Sequence, residues 1–421
     1  MRKLWRGFKY LILALLFIVF LGPEWPAFGD SDYRLNAIVG QRHFDFWAWH
    51  VNAYLDKGAA VLTESHAYLP TAQQKEVVLN YLDLISKARR LEHEIDAIYT
   101  DPAISDPDTA SQHLQATLVE TRHILTEQQN IAEAIVQEQV ATVLAEEGFT
   151  LTNATWPPVL MQMTPLPSVL IVSPRDRIER VDGVSLENGV SVPDRDGLET
   201  AVFNQLNQSA LVVPIGGLGT YPAMIAETSN LNWFVEVVAH EWVHHWLGLQ
   251  PLGFNYLTSS ELRTMNETVA SIVDVEVGEQ VIARYYPERV PPPPSPPPAE
   301  PDSSDAPPEP PPFDFRAEMA ETRVWVDALL AEGKIELAEE YMEERRQIFV
   351  ENGYRIRKLN QAYFAFYGAY AAQPGGATGL DPVGPLVRKV RAASPSLRAF
   401  MDTMAPITSL AELEEVAAQL R

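Results

Sequence analysis

The chain has 421 residues, 46% of them hydrophobic, enough to build two or three ordinary domains or one large one with appendages. Its 32 lysines and arginines stand against 56 aspartates and glutamates, a formal net charge of −24 that repels phosphate backbones and argues against nucleic acid as a partner. The absence of cysteine excludes disulfides, thiolate metal sites and cysteine nucleophiles, so any metal ion must be held by His, Asp or Glu.

Residues 1–30 read as a signal peptide or N-terminal membrane anchor. Arg2, Lys3, Arg6 and Lys9 precede an uncharged apolar run from Tyr10 to Gly22. This layout keeps the basic end in the cytoplasm and predicts a protein held by a single N-terminal helix with its bulk outside, or secreted if the segment is cleaved. The membrane is then a partner through this segment.

Residues 31–150 carry a helical pattern. HFDFWAWHVNAYLDKG reads as an aromatic helix closed by Gly58, and its His43, Asp45 and His50 read as polar atoms satisfied by packing. Thr71–Tyr99 and Ser111–Glu147 have apolar residues at three- and four-residue spacing, with DPAISDPD as the turn of a helical hairpin. Leu125, Ala132, Val136, Val140 and Val143 mark the inner face of its second helix.

Within 155–290 the period shortens. SVLIVSP, RIERVDGVSL, SALVVPIGG and YPAMIAET read as strands, followed by a helix LNWFVEVVAHEWVHHWLG, a loop PLGFNYLTSS and another helix from about Ser260 to Tyr286. Residues 291–313 hold 13 of the 33 prolines and read as a disordered linker or insertion. Residues 314–421 are helical again. Segments 316–332 and 334–352 pair around Gly333, a tyrosine-rich helix follows, and Ser409 with Glu412 forms a capping box for the last helix. The fold class is therefore α+β and mainly helical.

The chemistry is concentrated in HEWVHH. Phe234, Val235, Val237, Val238, Trp242 and Val243 place it on a buried helix, where His240 and His244 sit one turn apart, offset by about 40°, so that their imidazoles can converge on one ion. Glu241 lies on the flank, the position of a base for a zinc-bound water whose pKa falls to about 7. Glu267, near the start of the next helix, is a third ligand or simply an acid favoured by the helix dipole; on spacing alone both readings stand. Asp274, two turns on, can hydrogen-bond a ligand histidine. His245 points away from the metal face. Asn153, Asn207 and Asn266 fit glycosylation sequons, but a glycan on Asn266 would collide with Glu267, so a bacterial-type chain is the simpler reading. No Gly-x-Ser-x-Gly elbow or phosphate loop is present.

HEWVHHWLG followed by NETVASIVD resembles the gluzincin metallopeptidases over about residues 210–280, nearest to the alanyl-aminopeptidase branch. The resemblance implies a zincin-like core in 155–290, with a small mixed sheet and two site helices, completed by the C-terminal helices. It implies Zn2+ held by His240, His244 and Glu267, Glu241 as catalytic base, Asp274 behind the ligands, and a peptide or protein substrate. GLGTYPAMIAET stands where that family has its substrate-binding edge strand. Two features depart from the family: 22 residues separate His244 from Glu267, slightly more than usual, and the Gly-x-Met-x-Asn signature for a free amino terminus is absent. Aminopeptidase and endopeptidase action both stay open. In that family a later tyrosine steadies the oxyanion; Tyr363, Tyr367 and Tyr370 share a helical face, one turn after Asn360, and equally suit an aromatic core stripe. The competing reading of the whole chain is a non-catalytic, membrane-anchored scaffold or binding protein with a degenerate or structural metal site.

Overall fold

A computed structural model describes residues 31–63, 65–100, 104–292, 313–368 and 383–420. The N-terminal basic–apolar segment, most of the proline-rich run and Tyr370 lie outside the described residues.

The N-terminal helices are α1 (Ser31–Val39), α2 (Phe46–Thr63), α3 (Thr71–Thr100) and α4 (Pro107–Glu146). The last two form the expected hairpin, with Leu125, Ala132, Val136, Val140 and Val143 all buried. α4 begins a turn earlier than its apolar period suggests. Asp106 accepts a hydrogen bond from the Thr109 amide (3.1 Å), and Pro107 opens the first turn, where a missing N–H costs nothing.

Eight strands follow, with one helix among them: β1 (Thr150–Leu151), β2 (Ala154–Thr155), β3 (Met161–Met163), β4 (Ser168–Pro174), β5 (Asp182–Leu186), α5 (Val192–Leu206), β6 (Gln208–Pro214), β7 (Gly217–Leu218) and β8 (Ala223–Ile225). They make a short hairpin and two three-stranded sheets. One sheet is fully antiparallel in the order β5-β4-β6, with Leu170 opposite Val184 and Val212. Leu170, Val172, Ala210 and Val212 face α1 and α5, while Val169, Ile171, Leu211 and Val213 face a later helix. Burial on both faces explains why these strands are continuously apolar.

The other sheet, β3-β8-β7, is the mixed one: β3 runs parallel to β8, and β7 antiparallel. Side chains of α4 cover its β3 edge. Gln137 accepts from the Met161 amide (2.8 Å) and Glu133 from the Met163 amide (2.7 Å). This pairing removes one exposed edge and leaves β7 as the other.

The remaining helices are α6 (Leu231–Leu247), α7 (Pro251–Phe254), α8 (Ser260–Tyr285), α9 (Phe315–Ala331), α10 (Ile335–Glu351), α11 (Gln361–Tyr367), α12 (Val383–Ala393), α13 (Leu397–Met404) and α14 (Leu410–Gln419). α6 packs along α8. α9 and α10 pair around Gly333, whose φ of +73° suits a residue without a Cβ. Chain on the far side of the proline-rich run packs onto the preceding elements: α11 on β4 and β6, α12 and α13 on α8. Arg391 clamps Glu276 with two bonds of 2.7 and 2.6 Å. The last helix is capped as the sequence indicates, Ser409 accepting from the Glu412 amide (3.3 Å), although the Glu412 carboxylate reaches the Thr408 amide (2.7 Å).

The expected membrane-anchored placement is not borne out. Among the described residues no helix is long and apolar enough to cross a membrane. The apolar α6 has only 17 residues, short of the roughly 20 a span requires, and the longer α3 and α4 carry charges throughout.

One buried ion pair ties these parts together. Lys57 of α2 donates to Glu133 of α4, and the same carboxylate accepts from Gln129 (2.8 Å) and the β3 amide. Both residues are buried. Glu133→Ala strands the lysine and is expected to cost about 3–5 kcal/mol in denaturant unfolding, whereas replacing both partners with apolar residues of similar volume costs far less.

Candidate metal centre

Helix α6 begins where Asn230 accepts from the Trp233 amide (3.2 Å). Its apolar face, Phe234, Val235, Val238, Trp242 and Val243, is buried, and Trp242 donates its indole N–H to the Pro157 carbonyl (2.7 Å). These contacts fix the rotation of the helix and turn His240 and His244 toward α8. That helix starts at Ser259, which accepts from the Leu262 amide (3.2 Å), and presents Asn266, Glu267 and Asp274 on its buried side. Gly278 allows the close approach: a Cβ there would lie 2.8 Å from Glu236 Cγ on α6.

The structure brings His240, His244 and Glu267 into one cluster whose ligand atoms lie within 4.8 Å of one another. Each imidazole is oriented from behind. His240 Nδ1 donates to Asp274 Oδ2 (2.8 Å), and His244 Nδ1 donates to Asn266 Oδ1 (2.8 Å). With the protons assigned by these acceptors, both Nε2 atoms turn lone pairs toward Glu267 Oε2, at 3.4 and 3.7 Å. That oxygen is buried and has no hydrogen-bond partner. Its sister oxygen accepts from the Tyr256 hydroxyl (2.5 Å).

Three electron-pair donors, two buried and one half-buried, that face one point repel each other unless something positive lies between them. The charge balance says the same. Burial works against a cation on His240, yet the Asp274 hydrogen bond and the Glu267 carboxylate hold it well above the ordinary histidine value. Burial also opposes charge on Glu267, but the two histidines and Tyr256 bring it down to about 2. Burial, partly offset by Glu267, keeps His244 below its ordinary value. A proton on His240 serves one contact; a divalent cation would serve all three. Two imidazoles and one carboxylate suit zinc, whose ligands at about 2.0–2.2 Å stand roughly 3.3 Å apart in a tetrahedral site.

Glu241 stands beside this cluster and outside the converging group. It is buried, its Oε2 has no hydrogen-bond partner, and burial, opposed by His240 and reinforced by Glu267 and Asp274, pushes it up to about 8. Strand β7 lies directly on it. A Cβ on Gly217 would overlap the Glu241 carboxylate, and one on Gly219 would press on His244 Cβ at 3.3 Å. His245 faces the other way, its Nε2 donating to the Thr220 carbonyl (2.6 Å) and its ring packed edge-on against Tyr221. It therefore holds the loop that follows β7.

The other residues marked by the sequence make contacts of their own. Tyr363 and Tyr367 pack on each other, ring centroids 4.5 Å apart, on α11 against β4 and β6, and neither is hydrogen-bonded to the cluster. Asp45 caps α2 by accepting from the Ala48 amide (2.9 Å), His50 Nδ1 meets the Phe46 carbonyl (2.6 Å), and His43 bridges to Leu186. Sequence reasoning overlooked Tyr256, whose loop has no motif, and the close approach of Gly217 in β7 and of Gly219 just after it. It noted Asn266 as a sequon and as the first residue of NETVASIVD, without giving its side chain a role.

Comparison with known protein families, curated proteins and solved structures gives no match.

Purified protein is expected to carry roughly one equivalent of zinc per chain, lost in His240→Ala and Glu267→Ala. Asp274→Ala should weaken zinc binding about 10- to 100-fold, read by elemental analysis and competition with a chelator.

Proposed function

We propose that this chain is a zinc-dependent metallopeptidase whose hydrolytic site is built by α6, α8 and β7. The observation that carries the reading is the buried convergence of two imidazole lone pairs and one unpartnered carboxylate oxygen, each oriented from behind by its own hydrogen bond. His240, His244 and Glu267 would hold the ion. When bound, zinc supplies Lewis acidity, which acidifies water and polarises a carbonyl.

The chain's own residues do the rest. Glu241 Oε2, unpartnered and adjacent, accepts a proton from the attacking water and returns it to the departing amine, so that water adds across the broken peptide bond. A carboxyl pushed up to about 8 is well matched to this exchange near neutral pH. Asp274 and Asn266 keep the imidazoles in the tautomer that leaves Nε2 free. β7 supports a polypeptide substrate: with β3 covered by α4, its outer edge offers backbone hydrogen bonds to an extended chain, and Gly217 lets that strand run against Glu241.

Glu241→Gln is expected to retain zinc and lose about 10²- to 10⁴-fold in kcat on fluorogenic peptides. Wild-type protein that binds zinc yet cleaves no peptide in a panel with free and blocked amino ends indicates a structural ion instead. Gly217→Ala should also reduce turnover with zinc retained, because the added methyl displaces Glu241.

A further inference from the structure

Tyr256 lies on the connection between α7 and α8, in a turn closed by its own amide to the Gly253 carbonyl (3.1 Å) and by the Thr258 amide to the Asn255 carbonyl (3.0 Å). Its ring is held on two sides. It packs edge-on against His244 with centroids 6.1 Å apart, and the Arg263 guanidinium lies 5.7 Å from its centre. A ring fixed in this way has one direction for its hydroxyl, and that direction ends on Glu267 Oε1 (2.5 Å). The two oxygens of Glu267 are thus unequal. Oε1 is committed to a phenol, and Oε2 alone faces the two Nε2 atoms.

We propose that Tyr256 is a positioning residue that makes Glu267 a one-oxygen metal ligand. The inference rests on the metal-site reading above. A carboxylate buried beside a divalent cation with both oxygens free can bind through one or through both, and binding through both adds a ligand and crowds the position a substrate carbonyl needs. The Tyr256 hydroxyl removes that option by occupying Oε1. It also fixes the rotation of the carboxylate, as the Asp274 and Asn266 acceptors fix the two imidazoles. Each of the three ligands then has one outer partner, and one outer partner comes from a loop instead of from α8.

The test is Tyr256→Phe in the full chain, which keeps the ring and deletes only the hydroxyl. Leu257→Ser, at the neighbouring exposed position, controls for general disturbance of the loop. Each protein is loaded with Co2+ in place of zinc and its visible ligand-field spectrum recorded, and zinc affinity is measured by chelator competition. The expected result is a weaker, shifted cobalt band in Tyr256→Phe, as coordination number rises, together with a change of about 10- to 100-fold in zinc affinity. Leu257→Ser should match wild type in both. A Tyr256→Phe protein with the wild-type cobalt spectrum overturns the proposal, whatever its affinity. Wild-type protein that binds neither Co2+ nor zinc defeats the metal-site reading itself, an outcome distinct from the first.

Discussion

Two imidazoles give their Nδ1 protons to acceptors on one helix and aim their Nε2 lone pairs at one oxygen of a buried glutamate. This is the constraint on which the rest of the structure depends. Without a cation among them, the three donors leave a carboxylate oxygen unsatisfied in the interior, a penalty of about 1–3 kcal/mol or more for a charged group. Apolar residues of similar volume would fill the same space without that penalty. The charge pattern follows from it: Glu267 is held ionised, and Glu241, one position along α6 from a ligand, is driven the other way by burial and by the neighbouring carboxylates. Two glutamates in one pocket thereby acquire opposite tendencies.

The surrounding fold keeps that geometry rigid. The apolar face of α6 and the Trp242–Pro157 bond fix the rotation of the motif, and Gly278 sets the approach of α8. The N-terminal hairpin reaches the site indirectly. Glu133 and Gln137 of α4 satisfy the β3 amides, β3 pairs with β8, and β8 carries β7 onto Glu241. A region that reads in isolation as a packing element thus helps to position the strand that lies on Glu241. The C-terminal helices support α8 from behind, through Arg391 and Glu276 among others, so the His240–His244–Glu267 cluster rests on chain from both sides of the proline-rich run.

The sequence made much of this legible. His240 and His244 share a face because they stand four apart on one helix, and Asp274 shares one with Glu267 because they stand seven apart, but spacing left the role of Glu267 open and only the gluzincin resemblance pointed to it as a ligand. The hairpin, the Gly333 turn and the capping box were legible for the same local reasons. What periodicity does not encode is which loop folds back over a site. Tyr256 sits in a segment without repeat or motif, and Gly217 and Gly219 reveal their role only when Glu241 and His244 are seen against them. Helix α5 was overlooked because its apolar spacing is weak, although Ser191 accepting from the Asp194 amide was a readable start signal. For Tyr363 and Tyr367 the shared face was legible, but the partner it meets, β4 and β6, was a tertiary fact. The N-terminal apolar run drew attention to a membrane, whereas the described helices are built for packing against one another.

The central claim is that His240, His244 and Glu267 bind one metal ion together. X-ray absorption at the zinc edge of the purified full chain tests it most directly, because the fine structure reports ligand identity and number without a substrate. The account predicts a single zinc environment with two imidazole nitrogens and one carboxylate oxygen from the protein, which loses one imidazole contribution in His244→Ala. A chain that takes up no zinc, or one whose absorption spectrum is unchanged by His244→Ala, would contradict it.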